Sequence, residues 1–207
     1  MKFKYIVLNL LLFSLNSCTK DRIINPVDAF EPSNNKGEFL LHYWNFNDNT
    51  SIDNLISPQS IIPNAQIEYF GSAFDDVNEG SDLNTRNNDF AGRALRLRNP
   101  SGDLIISLPT VGYKNIKLKF ASTRTNNGPQ EQNFFYTTDG NNYINASIEP
   151  KQIEVPLEFQ LYEIDFSVLN AVNNNPNFKV KVSFNINHDS ESGNSRFDNI
   201  TLEGKKI

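Results

Sequence analysis

Phe178-Lys179-Val180-Lys181-Val182-Ser183-Phe184-Asn185-Ile186 is the longest clean alternation of apolar and polar residues in the chain. Such alternation is what a half-buried antiparallel strand requires, because successive side chains point to opposite faces. Working outward, the same signature recurs in shorter runs. Glu38 to Phe46 is an apolar, aromatic strand (Phe39, Leu40, Leu41, Tyr43, Trp44). Ala65 to Phe70 alternates with period two, and Asp103 to Leu108 and Ile116 to Phe120 do so in part. Asn-, Gly- and Pro-rich breaks separate these runs. Thr138-Asp139-Gly140-Asn141-Asn142 falls between Tyr136 and Tyr143, and Asp-Gly tolerates the positive φ of a tight hairpin. No segment has a long helical period; Ser167 to Val172 has room for a single turn. Many short strands without helices predict an all-β protein, an antiparallel β-sandwich of the jelly-roll type. Gly71 to Asn88 stands apart as long, acidic and polar, and is expected to be a loop.

The amino terminus has a different logic. Met1-Lys2-Phe3-Lys4 is basic, Tyr5 to Leu15 is mostly apolar, and Asn16-Ser17 precede Cys18, the only cysteine. A basic start, a short apolar core and a small-residue exit describe a signal peptide over residues 1–17. The apolar run is too short to span a bilayer, which takes about 20 residues. Leu15-Asn16-Ser17-Cys18 resembles the lipobox of bacterial lipoproteins. That resemblance implies a lipid on the Cys18 sulfur, cleavage before Cys18 and acylation of the new amino terminus; stable anchoring takes more than one acyl chain. Thr19-Lys20-Asp21 is similar to the charged export signal of surface lipoproteins in Bacteroidota-type bacteria. An outer-membrane lipoprotein exposed at the cell surface is therefore expected. Residues 18–37 read as anchor and tether, and residues 38–207 as one β domain.

Removing residues 1–17 deletes Lys2 and Lys4 and no acid, so the formal charge moves from −5 to −7. An acidic domain without a basic cluster argues against nucleic acid as a partner, and against a basic membrane-binding surface. With no cysteine pair available, stability rests on packing, and 16 phenylalanines supply much of it.

The two ends of the domain carry a family resemblance. Phe197-Asp198-Asn199-Ile200-Thr201-Leu202, an aromatic-Asp-Asn-Ile-x-Leu closing strand, resembles that of jelly-roll carbohydrate-binding modules and galactose-binding-like domains. In those families the first and last strands lie side by side. The likeness implies a structural calcium held by Asp198, with Asn45, Asn47 or Asp48 as partners near the first strand; calcium takes six to eight hard oxygens. This chain offers mainly Asn where many such modules have Glu. Asp198 and Asn199 bonding backbone groups is the alternative. Asp89 to Leu95, Gly112 to Ile116 and Tyr136 to Gly140 resemble segments of secreted and lipoprotein sandwich domains of Bacteroidota.

Constellations for catalysis are thin. His42 and His188 are the only histidines, and with one cysteine they assemble no zinc site. His42 is expected to be packed, and His188-Asp189-Ser190 to be a solvated loop rather than part of a triad, which needs converging positions and an oxyanion hole. Asp75-Asp76-Val77-Asn78-Glu79-Gly80-Ser81-Asp82 has a calcium-like composition without EF-hand spacing and is a second calcium candidate, with an acidic, solvated loop as the alternative. Carboxylates such as Glu131, Glu154 and Glu163 fall in no hydrolase motif. Sugar binding needs aromatic faces with planar polar groups around them. Tyr143 is a candidate platform, as are Tyr69, Phe74 and Tyr113, whereas Trp44 is expected in the core. Arg86 and Asn87 in one loop, and Arg124, Asn126 and Asn127 in another, are candidate polar partners. The expected function is non-catalytic recognition at the cell surface, most plausibly of a glycan. A structural or interaction subunit docking another envelope protein is the alternative, and a jelly-roll glycan hydrolase a third.

Overall fold

The computed structural model describes residues 37–48, 52–185 and 192–207. The signal segment, Cys18, the tether, Ile186 and the His188 loop lie outside the described residues. In chain order the strands are β1 (Glu38–Trp44), β2 (Gln59–Ser60), β3 (Gln66–Tyr69), β4 (Ala73–Val77), β5 (Ala94–Arg98) and β6 (Leu104–Ser107). They continue as β7 (Tyr113–Arg124), β8 (Glu131–Thr137), β9 (Gln152–Glu154), β10 (Gln160–Asp165), β11 (Lys179–Asn185) and β12 (Asn194–Lys206). One short helix, α1 (Ile52–Ile56), and a 3-10 turn at Asn170–Val172 complete the set.

All pairings are antiparallel, and the strands form two sheets, as the alternation predicts. One runs β3-β6-β11-β8-β9. The other runs β10-β7-β12-β1-β2, with β5 and β4 joined to β12 as well. β11 sits at the centre of the five-stranded sheet and turns Val180 and Val182 inward. There they meet a ring cluster in which Phe120 lies 5.7 Å from Phe134 and 5.6 Å from Phe197, and Phe166 lies 5.0 Å from Phe178. Sheet-on-sheet packing of this kind is the jelly-roll solution to burying one face of each strand.

Trp44 is 2% exposed, its indole N–H donating to the Ile56 carbonyl at 3.0 Å. His42 is packed, as expected: Nε2 lies 2.8 Å from the Pro109 carbonyl and Nδ1 2.6 Å from Ser60 Oγ. Burial pushes its pKa down to about 4, partly offset by the Pro109 bond. The hairpin after β8 closes with an isolated Tyr136–Ile144 bridge. Asp139 Oδ1 accepts the amides of Asn141 and Asn142, both at 2.8 Å, and Gly140 takes φ 84°. Those donors, Asn142 first, hold the Asp139 carboxyl below the usual carboxylate range.

Two features depart from the sequence-based expectation. Gly71 to Asn88 is not all loop, because Ala73–Val77 is a strand paired with β5. Phe74 and Asp76 share one face and Ala73, Asp75 and Val77 the other, so no apolar alternation announces it. Arginines stabilise it instead: Asp75 pairs with Arg96 (2.6 Å) and Arg98 (2.7 Å), and Asp76 with Arg93. The same pairing engages Glu79 with Arg196, so three of the acids of the second calcium candidate, Asp75, Asp76 and Glu79, face arginines.

The closing strand forks the seven-stranded sheet. β12 pairs with β7 along most of its length, with β5 through Asn194–Phe197, and with β1 through Ile200–Lys205. β5 and β1 therefore share one side of β12 and part company at Asp198-Asn199. A register break stands there, and Asn199 adopts φ 48°, which Asn tolerates better than most residues.

Candidate functional site

The two outer faces of the sandwich differ. That of the seven-stranded sheet is laced with ion pairs. Lys117 and Lys119 on β7 meet Glu163 on β10 at 3.1 and 3.5 Å, and Lys119 also meets Glu203 on β12 at 2.8 Å. Arg86 reaches the same Glu203 at 2.6 Å. Burial alone would raise the Glu203 pKa, but the bonds from Lys119 and Arg86 outweigh it and hold the carboxyl low. With the arginine ladder of β4 and β5 beside it, this face has its charged groups committed to one another.

The fork in β12 is filled by the loop between β4 and β5. Asp198 Oδ2 accepts the Ser81 amide (2.6 Å) and Oδ1 its neighbour Asn199's amide (2.8 Å). Asn199 Nδ2 donates to the carbonyls of Ser81 (2.7 Å) and Leu83 (3.0 Å), while Tyr43 Oη donates to Asn199 Oδ1 at 2.9 Å. Asn84 Nδ2 donates to Asn199 O at 2.6 Å. Asp198 is thus 1% exposed, and burial pushes its pKa up to about 7 against the pull of the two amides.

The calcium set implied by the resemblance is split by this geometry. Asn47 Oδ1 accepts the Arg93 amide at 2.7 Å. A Cβ added at Gly80 would stand 2.8 Å from Asp198 Oδ2 and 2.9 Å from the Arg93 carbonyl, so Gly80 packs tightly between the two. Asn45 and Asp48 instead line an open cavity beside Trp44. Among the described residues no three acids, histidines or cysteines converge on one point. One carboxylate with carbonyl and amide oxygens around it suits calcium in kind, with Asp198 as its single charged ligand.

The candidate glycan residues fall in three places. Arg86 is spent on Glu203 and on the carbonyls of Asn84 (2.9 Å) and Thr85 (3.1 Å), and exposed Asn87 donates to Gln59 Oε1 at 3.1 Å. Arg124 donates to the carbonyls of Val155 (2.7 Å), Thr125 (3.2 Å) and Asn126 (3.1 Å). Asn126 is exposed, and Asn127 Nδ2 donates to Ser192 Oγ at 2.9 Å, at the same end of the sandwich. Both arginines are therefore internal braces. Tyr143 lies elsewhere, against the outer face of the five-stranded sheet.

That face is where side chains unrecognised in the sequence come together. Glu68, Ile105, Lys181 and Phe135 occupy one register row across β3, β6, β11 and β8. Lys181 Nζ stands 5.1 Å from the ring centroids of both Phe135 and Tyr143, and 3.5 Å from Asp103 Oδ2. The next row carries Ser183, Asn133 and Gln152, and the one beyond it Asn185, Glu131 and Glu154. Ser183 Oγ donates to Asp103 Oδ1 (2.6 Å) and Asn185 Nδ2 to Glu131 Oε2 (2.8 Å), which fixes their orientation. With strands about 4.8 Å apart, the Lys181 row spans about 14 Å. Aromatic rings flanked by oriented amides, hydroxyls and carboxylates can stack a sugar ring and bond its hydroxyls. The available signal was the polar half of the β11 alternation, Lys179, Lys181, Ser183 and Asn185.

No family model matches the chain, and no curated protein matches it. Solved structures do. The CBM22-1 xylan-binding domain of Paenibacillus barcinonensis is similar at 12% identity and TM-score 0.53, covering 83% of this chain and 98% of that one. A tandem CBM22-1–CBM22-2 structure from the same organism is similar at 14% identity and TM-score 0.51, covering 84% of this chain and 47% of that one. A family 11 carbohydrate-binding module from Clostridium thermocellum is a more distant neighbour, with 16% identity, TM-score 0.39 and coverage of 82% and 97%. At these identities the likeness is one of fold, and the fold is the antiparallel jelly-roll β-sandwich of carbohydrate-binding modules.

Proposed function

We propose that this protein is a surface-anchored, non-catalytic glycan-binding lipoprotein whose binding face is the outer surface of the five-stranded sheet. The observation that carries the proposal is the pair of rings, Phe135 and Tyr143, each with its centroid 5.1 Å from Lys181 Nζ on the outer face of this sheet. The carbohydrate-binding neighbours support it at the level of fold. Anchorage rests on Leu15-Asn16-Ser17-Cys18, with the lipid on Cys18 tying the protein to the outer membrane. A calcium ion at Asp198 belongs to the same proposal, as the charge that an otherwise uncompensated buried carboxylate would attract; its role there is to hold the fork of β12 and not to touch the glycan.

The test is calorimetric titration with xylo-oligosaccharides first, as the ligand class of a structural neighbour, then a glycan array. Tyr143→Ala and Phe135→Ala should each weaken binding at least about tenfold, the equivalent of about 1.4 kcal/mol. Folded protein that binds no glycan on the array would transfer the proposal to docking of an envelope protein. Release of reducing ends would show a hydrolase instead.

A further inference from the structure

The open cavity beside Trp44 has no part in the sheet-face reading. It has a volume of about 250 Å3 and is lined by Tyr43, Trp44, Asn45, Phe46, Asp48, Ser57, Pro58 and Gln59. Tyr43, Trp44 and Phe46 are buried beneath it. Two planar amides stand in its wall, each held by a residue from the loop before β5. Asn45 Nδ2 donates to Asp89 Oδ2 at 2.7 Å, and Gln59 Oε1 accepts Asn87 Nδ2 at 3.1 Å. Gln59 is exposed and its Nε2 donates to no described residue, which leaves two oriented N–H groups at the mouth.

We infer that this cavity is a second binding site, for a single neutral sugar unit such as the end of a glycan chain. Size comes first, since the volume lies below the roughly 300–1,000 Å3 typical of drug-sized ligands, which excludes a long chain lying within it. Surface comes second. The half-buried Pro58 ring stands beside the amides of Asn45 and Gln59, a small apolar edge among planar polar groups, as the edge of a pyranose requires. Charge comes third: among the described lining residues there is no lysine or arginine, so a uronate or phosphorylated sugar finds no cationic partner there. Preorganisation comes fourth, because Asn45 and Gln59 are already braced and lose little freedom on binding.

The site lies at the end of β1, on the other sheet from Phe135 and Tyr143, so it stands or falls independently of the sheet-face proposal. Trp44 is the only tryptophan in the chain, so in the folded protein its fluorescence reports on the neighbourhood of this cavity and not on the sheet face. Purified full-length protein is titrated with methyl β-glycosides of xylose, glucose and galactose, and separately with glucuronate. A saturable change in Trp44 emission is expected for at least one neutral glycoside, with an affinity on the order of millimolar. Gln59→Ala and Asn87→Ala, both at exposed positions, should weaken it at least about tenfold, while Tyr143→Ala leaves it unchanged. Glucuronate should give no change. Absence of any saturable signal in folded protein overturns the inference. So does a signal that survives both the Gln59 and Asn87 variants, or one that glucuronate reproduces. Failure of the sheet face would show separately, as oligosaccharide binding indifferent to Tyr143→Ala.

Discussion

Replacing Asp198 by asparagine should expose an acid sensitivity that the wild-type protein conceals. Two buried groups, Asp198 and His42, titrate in opposite senses. Burial raises the Asp198 pKa from 3.8 to about 7, so between those values the folded protein carries a proton that the unfolded chain lacks. That contribution favours the fold as pH falls through about 7. Burial lowers the His42 pKa from 6.5 to about 4, so over that range the unfolded chain carries the extra proton. That contribution is lost as pH falls below 6.5. At about 1.4 kcal/mol per pKa unit, the first gap corresponds to roughly 4 kcal/mol and the second to roughly 3 kcal/mol. Between about pH 4.5 and 6.5 the two slopes cancel. Asp75 and Glu203, held low by their cationic partners, act only below that window. Guanidinium unfolding of the wild type in EDTA, followed through Trp44 emission, should therefore give a nearly flat stability profile there. Asp198→Asn should instead lose about 1.4 kcal/mol per pH unit on acidification, some 2 kcal/mol from pH 6.5 to 5. His42→Gln should show the mirror image and gain stability in acid. An Asp198→Asn profile superimposable on the wild type would refute the reasoning.

Other outcomes follow from the same geometry. Calcium-loaded protein should melt several degrees lower after EDTA treatment, and Asp198→Ala should remove the difference; equal melting in both states would mean that Asp198 holds no metal. Phe134→Ala, at the centre of the ring cluster, should cost about 3–5 kcal/mol in chemical unfolding, whereas Val168→Ala, at a surface position, should change little. Cys18→Ala should move the protein from the membrane to the soluble fraction of cells and abolish incorporation of a labelled fatty acid. Persistence in the membrane fraction would point to another anchor.

How much of this was readable in advance depends on the range of the interactions involved. β11 and β1 announce themselves because a strand buried on one face writes its burial into every second residue. The Asp139-Gly140 hairpin is equally local, since turn geometry depends on residues a few positions apart. β4 hides because its adjacent acids, Asp75 and Asp76, are neutralised by arginines some 20 positions later, and acids in a strand look like a loop until those partners are known. Arg86 and Arg124 fail as ligand-binding candidates for a related reason. A surface-like arginine reads as available, but Glu203 and the Val155 carbonyl, both distant in sequence, claim them.

By itself, then, the sequence determined an all-β chain, the strands of its core and the packing of Trp44 and His42. Those properties follow from period-two burial, turn chemistry and composition, which are local. The tertiary structure decided which outer face is free, that Phe135, Tyr143 and Lys181 share it, and that β12 forks at Asp198-Asn199 around the loop before β5. Each of those depends on strand order and register, and alternation specifies which side of a strand is buried without specifying which neighbours lie beside it.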